Sequence, residues 1–190
     1  MKAKKLWIPI IVVLFVIGMI AGFFVGGYNS LVEAQTAVES KQSDIQTQLQ
    51  RRADLIPNFV ATVKGASNFE KDTLSAVTEA RSAVSKANNA ESLSQASEKL
   101  DGAISVWVNA VTEAYPELKS NQNYVALQDE LAGTENRVAV ARKDYNEAVE
   151  SYNTMVRKFP KSIIASMFGF EKAEFFKADE NSQTVPSVEF

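Results

Sequence analysis

The stretch from residue 127 to residue 159, LQDELAGTENRVAVARKDYNEAVESYNTMVRKF, decides the fold. Leu127, Leu131, Thr134, Val138, Ala141, Tyr145, Ala148, Tyr152, Met155 and Phe159 follow one another at intervals of 4, 3, 4, 3, 4, 3, 4, 3 and 4. That is the heptad spacing that lines one seam of a long helix, and Thr134 is its single polar exception. Upstream, Leu31, Val38, Ile45, Leu49, Ile56, Phe59 and Val63 lie on a stripe of the same kind, interrupted by Gln35, Gln42 and Arg52. A polar residue in such a seam sets register more readily than it does chemistry.

Two shorter amphipathic segments lie between these stripes. One carries Leu74, Val77, Arg81 and Val84, the other Leu93, Leu100, Ile104, Trp107, Val111 and Ala114. Their ends are marked: Ser67-Asn68-Phe69-Glu70 reads as a capping box, Asn88-Asn89 breaks the hairpin, and Tyr115-Pro116 stops the third helix. The expected helices are 28–66, 67–87, 91–115 and 120–158, with Pro57 kinking the first. The outer two, at roughly 58 Å, are too long for the middle pair to cover, so helices two and three are expected on the far half only. An up-down-up-down path would return the fourth helix to the start of the first and bring Phe159 near Tyr28.

Ahead of the bundle, Leu6 to Val25 reads LWIPIIVVLFVIGMIAGFFV, twenty residues without a charge. At about 1.5 Å per residue they span roughly 30 Å, the hydrocarbon thickness of a bilayer. Pro9 falls in the first turn and Trp7 where an interfacial aromatic belts the membrane. A cleaved secretory signal is the rival reading, but the apolar run outlasts the usual core of such signals, about 7–15 residues. Lys2, Lys4 and Lys5 precede the span and only Lys41 occurs in the twenty residues after it, which orients the amino terminus to the cytoplasm and the rest outside. With only about five residues inside, any signal is expected to pass through a partner. Gly18, Gly22 and Gly26 form a small-xxx-small face for helix packing in the membrane, against the plainer reading that glycine is common there.

Composition excludes much chemistry. The 190-residue chain has no Cys and no His, which removes disulfides, thiolate nucleophiles, the commonest base and the usual zinc and iron–sulfur ligands. No catalytic, cofactor-binding or metal-ligating set emerges. From Tyr28 onward 17 basic residues face 23 acidic ones without a basic stripe, so nucleic acid is not an expected partner.

The segment FPKSIIASMFGFEKAEFF after the fourth helix holds Phe159, Ile163, Ile164, Met167, Phe168, Phe170, Phe175 and Phe176 among Lys158, Lys161, Lys172 and Lys177. It reads as membrane-proximal, lying on the lipid surface, or alternatively as a seal on the open end of the bundle. The domain reading is therefore a short cytoplasmic N-terminus at 1–5, a transmembrane helix at 6–27, a helical bundle at 28–158, an aromatic membrane-proximal segment at 159–177 and a disordered acidic tail at 178–190. The tail ends in Val188-Glu189-Phe190, whose apolar pair and free carboxylate suit capture by a PDZ-type domain, against a plain frayed terminus.

Several blocks carry a family resemblance: YNSLV at 28–32, QLQRRADLIPNFVATVKG at 48–65, then EAYPELKSNQ, LQDELAGTENRVAVAR and YNEAVESYN between 113 and 153, followed by FP and MFGF. In these blocks the chain resembles the LemA family of bacterial membrane proteins from Tyr28 to about Lys177. The resemblance implies a single amino-terminal anchor and a bundle of long helices, and it implies no particular activity. Lys41 and Phe69 depart from it, standing about where the family has an aromatic residue and a histidine, so a role resting on that histidine is not expected here.

Two polar clusters stand out, Arg51, Arg52, Asp54 and Asn58 on the first long helix and Thr134, Glu135, Asn136 and Arg137 on the fourth. Antiparallel packing is expected to join them as a structural network, Glu135 with Arg51 or Arg52 and Asp54 with Arg137. The fold class expected is all-α: an N-terminal transmembrane helix followed by an antiparallel, coiled-coil-like four-helix bundle. The function expected is a non-enzymatic, self-associating scaffold of the cell envelope, with the lipid bilayer, further copies of itself and an envelope protein as partners. The alternative is an extracytoplasmic sensory or adaptor module that binds a ligand or peptide. A carboxylate-dependent hydrolase would need a deep pocket with two converging carboxylates.

Overall fold

The computed structural model describes residues 2–64 and 71–177. The capping box expected at 67–70 and the tail with Val188 and Phe190 lie outside the described residues. Five α-helices are present among the described residues: α1 (Lys2–Lys64), α2 (Lys71–Lys86), α3 (Ala90–Ala114), α4 (Gln122–Arg157) and α5 (Lys161–Phe168), with a 3-10 turn at Pro116–Ser120 between α3 and α4.

The span expected at 6–27 and the helix expected from Tyr28 form one unbroken helix, α1, which passes through Gly26-Gly27 and Pro57. A glycine inside a helix costs about 1 kcal/mol and a proline about 3 kcal/mol. Pro57 is exposed, while Ile56 and Phe59 beside it are buried. Burying two such side chains contributes roughly 1.5–3 kcal/mol each, enough to carry the helix past the proline.

The shorter helices end where their side chains dictate. Asn89 caps α3, its Oδ1 accepting the Ser92 N–H at 2.8 Å while the Ser92 hydroxyl oxygen accepts the Asn89 N–H at 3.1 Å. Asn121 does the same for α4, accepting from the N–H groups of Asn123 and Tyr124 at 3.0 and 3.2 Å. Beyond the four helices expected, the aromatic segment contains a further one, α5. Gly169 ends that helix at φ 74°, a left-handed conformation that costs glycine nothing, and Phe170 N–H closes on Ala165 O at 2.9 Å.

The chain divides into two compact units, Met1–Glu39 with Ala148–Ala173, and Ser40–Glu147 with Glu174–Phe190. In the second unit the α1 stripe (Ile45, Leu49, Ile56, Phe59 and Val63) is buried, as are Leu93, Leu100, Ile104, Trp107 and Val111 of α3. Phe59 meets Trp107 and Tyr124 edge-on at ring separations of 4.7 and 5.1 Å. The helices α2 and α3 belong wholly to this unit. In the first unit Leu31 packs on Ile164 and Ala165, with Phe24, Met155, Val156 and Phe170 around them. The α4 seam is buried at Leu131, Thr134, Val138, Ala141, Tyr145 and Tyr152, and Thr134, its polar member, donates to its own helix at Leu131 O, 2.7 Å away. Phe159 falls beyond the end of α4 and is 76% exposed.

Candidate functional site

In the second unit, charged side chains converge from three helices. Arg52 of α1, with a side chain only 4% exposed, pairs with Asp101 of α3 and with Glu135 of α4 at 3.4 Å. Asp101 also accepts from Arg142 of α4 at 3.2 Å, and Arg142 donates in turn to the buried Ser97 hydroxyl. Asp101 is thus shared by two guanidinium groups. Its carboxyl pKa lies above the ordinary value because burial disfavours the charge more strongly than Arg52 and Arg142 favour it. The Nε atoms of Arg52 and Arg142 are buried without a hydrogen-bond partner, which adds to the cost of the cluster.

The structure joins Glu135 to Arg52 and leaves Arg51 to Glu130, at 3.2 Å. It does not join Asp54 to Arg137. Asp54 pairs with Arg81 of α2 at 3.0 Å, and Arg137 with Glu130 at 2.7 Å. The antiparallel register that sets Lys41 opposite Asp144 leaves Asp54 and Arg137 roughly 9 Å apart along the helix axes, beyond the reach of an aspartate. Lys41 lies 3.4 Å from both Asp44 and Asp144. Those two carboxylates hold its ammonium pKa above the ordinary value, Asp44 contributing most. Beside them Asp44, Gln48, Asn136, Arg137, Val140, Ala141 and Asp144 line a shallow groove.

Sequence reasoning missed Asp101, Ser97 and Arg142. Their signal was positional: Asp101 follows the stripe residue Leu100, Ser97 lies four residues before it, and Arg142 follows the seam residue Ala141. The Asn side chains of α4 were missed too. In the second unit Asn146 reads the backbone of Phe176 twice, accepting its N–H at 2.8 Å and donating to its carbonyl at 3.1 Å. Tyr145 donates its hydroxyl to Glu174 O at 2.8 Å, and Arg142 lies 5.0 Å from the centre of the buried Phe176 ring. In the first unit Asn153 makes the same two-point contact with Ala173, both bonds at 2.9 Å.

The residues expected at the membrane separate into two groups. Ile164 and Phe176 are buried in protein and Phe170 is half-buried. Phe159, Ile163, Met167, Phe168 and Phe175 are exposed. The rings of Phe168 and Phe170 meet Tyr28, at 4.9 and 5.6 Å. Of the glycines, Gly18, Gly22 and Gly26 have open space where a Cβ would stand, whereas a Cβ on Gly27 would collide with Ile164 Cδ1. The close approach within the chain is thus at Gly27, which the every-fourth-residue spacing of the other three does not include. Among the described residues, one helix is long and apolar enough to cross a membrane, and no group of three acidic, histidine or cysteine side chains is placed to hold a metal ion.

Residues 41–190 match the sequence model of the LemA family. Over 169 aligned residues the chain is 28% identical to Protein LemA of Metamycoplasma hominis, covering 86% of this chain and 75% of that one. It is 27% identical over 193 residues to Magnetosome protein MamQ 1 of Paramagnetospirillum magneticum, covering 88% and 71%, and 24% identical over 174 residues to Magnetosome protein MamQ of Magnetospirillum gryphiswaldense, covering 78% and 64%.

Proposed function

Since the chain belongs to the LemA family, we propose that it is a single-pass, membrane-anchored helical scaffold of the bacterial cell envelope, self-associating and without catalytic activity. The observation that carries this reading is the continuity of α1: one helix holds both the uncharged run from Leu6 to Val25 and the buried stripe from Leu31 to Val63. The lysines at 2, 4 and 5 favour a cytoplasmic amino terminus, an inner-membrane anchor and a bundle outside the cytoplasm. Gly18, Gly22 and Gly26, open on their own chain, supply the contact between copies. Val188 and Phe190 are the proposed contact for a PDZ-type partner in the envelope. The charge cluster supports a structural role, because Asp101 is engaged by two arginines and offers no free carboxylate in a deep pocket. The test is the mass of the full-length complex in nanodiscs beside its Gly22→Leu variant. A discrete oligomer that falls to monomer in the variant supports the scaffold, and a monomer in both removes self-association.

The adaptor reading retains one favouring observation. Asn146, Tyr145 and Arg142 grip Glu174 to Phe176 through backbone groups and one buried ring, chemistry suited to any extended peptide with an aromatic anchor. If the chain is an adaptor, Phe176→Ala frees that grip and increases capture of aromatic peptides in a fluorescence-polarisation assay; unchanged capture removes the reading.

A further inference from the structure

The short helix α5 is apolar on two sides. Its buried side, Ile164 and Ala165, packs on Leu31 and fills the space above Gly27. Its other side carries Ile163 at 50% and Met167 at 61% exposure; Phe168, 54% exposed, lies at the edge of the buried side one turn after Ile164, and Phe159 comes just before the helix. Only Lys161, Ser162 and Ser166 are polar among its eight residues. A helix apolar on two sides is stable only when both are covered, and among the described residues the second side is left exposed at Ile163 and Met167.

Its level along α1 is fixed by direct contacts. Gly27 and Tyr28 come within a turn of Val25, the last residue of the uncharged run, and the Tyr28 ring meets Phe168 at 4.9 Å. Phe24, inside that run, joins the same cluster. If Leu6 to Val25 crosses the bilayer, α5 is held at the interface, the depth where tyrosine settles and where an in-plane helix buries its apolar face by roughly 5–10 Å. The charge agrees with this. Between residues 157 and 173 there are four cations, Arg157, Lys158, Lys161 and Lys172, against the single carboxylate Glu171, although the whole chain is net −3.

We propose that α5 is an interfacial lipid-binding helix, with Phe159, Ile163, Met167 and Phe168 in the headgroup–acyl boundary and the neighbouring lysines on anionic lipid headgroups. The occupant of the exposed face is the bilayer itself. The level of that face, held beside the end of the uncharged run by the packing of Ile164 and Ala165 on Leu31 and Phe24, selects lipid, and the excess of cations selects an anionic leaflet. The inference rests on the anchor reading and adds to it a second, peripheral contact, which explains why an exposed apolar helix is folded back against the end of the span.

Because the chain has no cysteine, single substitutions give clean labels. Ile17→Cys, Met167→Cys and Ser151→Cys, each in the full-length protein in nanodiscs, are labelled with an environment-sensitive fluorophore. Phosphatidylglycerol–phosphatidylcholine discs carry a lipid quencher at a shallow acyl position. The expected result is blue-shifted, quenched emission at positions 17 and 167 and unquenched emission at the exposed helix position 151. Quenching at 167 is expected to weaken when Lys158, Lys161 and Lys172 are all changed to Gln, or when phosphatidylglycerol is omitted. A label at 167 as unquenched as that at 151, while 17 is quenched, overturns the inference and leaves the anchor intact. A blue-shifted but unquenched label at 167 overturns it in favour of protein contact. An unquenched label at 17 removes the anchor reading and the inference with it.

Discussion

Two regions pack α1 by opposite means. In the second unit Arg52 enters a cluster of charges drawn from α3 and α4; in the first, Gly27 and Leu31 receive Ile164 and Ala165 through apolar contact. A buried ion pair is directional and tolerates no shift of register without leaving a charge unpaired, but its desolvation makes it a poor source of stability. Close apolar packing is insensitive to direction and sensitive to volume. The molecule thus uses charge to specify which helix positions face each other and fit to hold a small helix in place.

The largest effect expected from this contrast is at Asp101. Asp101→Ala takes a shared carboxylate from the buried Arg52 and the partly buried Arg142 and should cost about 3–5 kcal/mol in urea unfolding of the full-length protein in detergent, followed by circular dichroism. The triple change Arg52→Met, Asp101→Leu and Arg142→Leu should recover most of that loss, since apolar residues of similar volume replace buried charges at little cost. A cost below about 1 kcal/mol for Asp101→Ala is the exposed-pair value and would erase the contrast.

The apolar contact comes next. Ile164→Ala should cost about 2–4 kcal/mol by leaving a cavity, read as faster proteolysis of the 159–177 segment. Gly27→Ala alone should also destabilise, because its methyl meets Ile164. Combined with Ile164→Ala, however, it should restore about 1 kcal/mol, the new methyl occupying vacated space. Strict additivity of the two changes would show that they do not share that volume.

The smallest effect is in pH. Asp101 has a raised pKa in the folded state, so its protonated form is favoured by folding, and its contribution is present in full below the ordinary aspartate value of 3.8 and lost as pH rises through the folded-state value. The stability of the wild type relative to Asp101→Asn should therefore fall as pH is raised from just below that ordinary value. A difference that rises with pH over the same range would mean that the two arginines outweigh burial.

Legibility in the sequence followed periodicity. The seam from Leu127 and the stripe from Leu31 to Val63 were readable because burial repeats along them, and the ends at Asn89 and Pro116 because local side-chain chemistry makes them. The glycine pattern pointed to Gly18, Gly22 and Gly26, since spacing reports a shared face; what approaches Gly27 depends on a residue 137 positions away. Asp54 and Arg137 were matched by charge alone, and charge carries no register. Asp101 escaped because an acidic residue beside a stripe looks solvated until two other helices are in place. The two-point grip of Asn146 was equally silent, because it reads backbone and leaves no complementary side chain in the sequence.

The unbroken α1 also acts as a phase lock. Successive residues turn by about 100°, so Gly22, nine residues before Leu31, points about 180° away from it, and Gly18 and Gly26 lie within about 40° of that opposite direction. Gly27 falls on the Leu31 side, about 40° from it. A copy approaching along the three glycines therefore arrives at the back of the helix, with α5 undisturbed at the front. One residue inserted between Gly26 and Gly27 would swing the two faces by about 100° and spoil that back-to-back arrangement without removing a single contact residue.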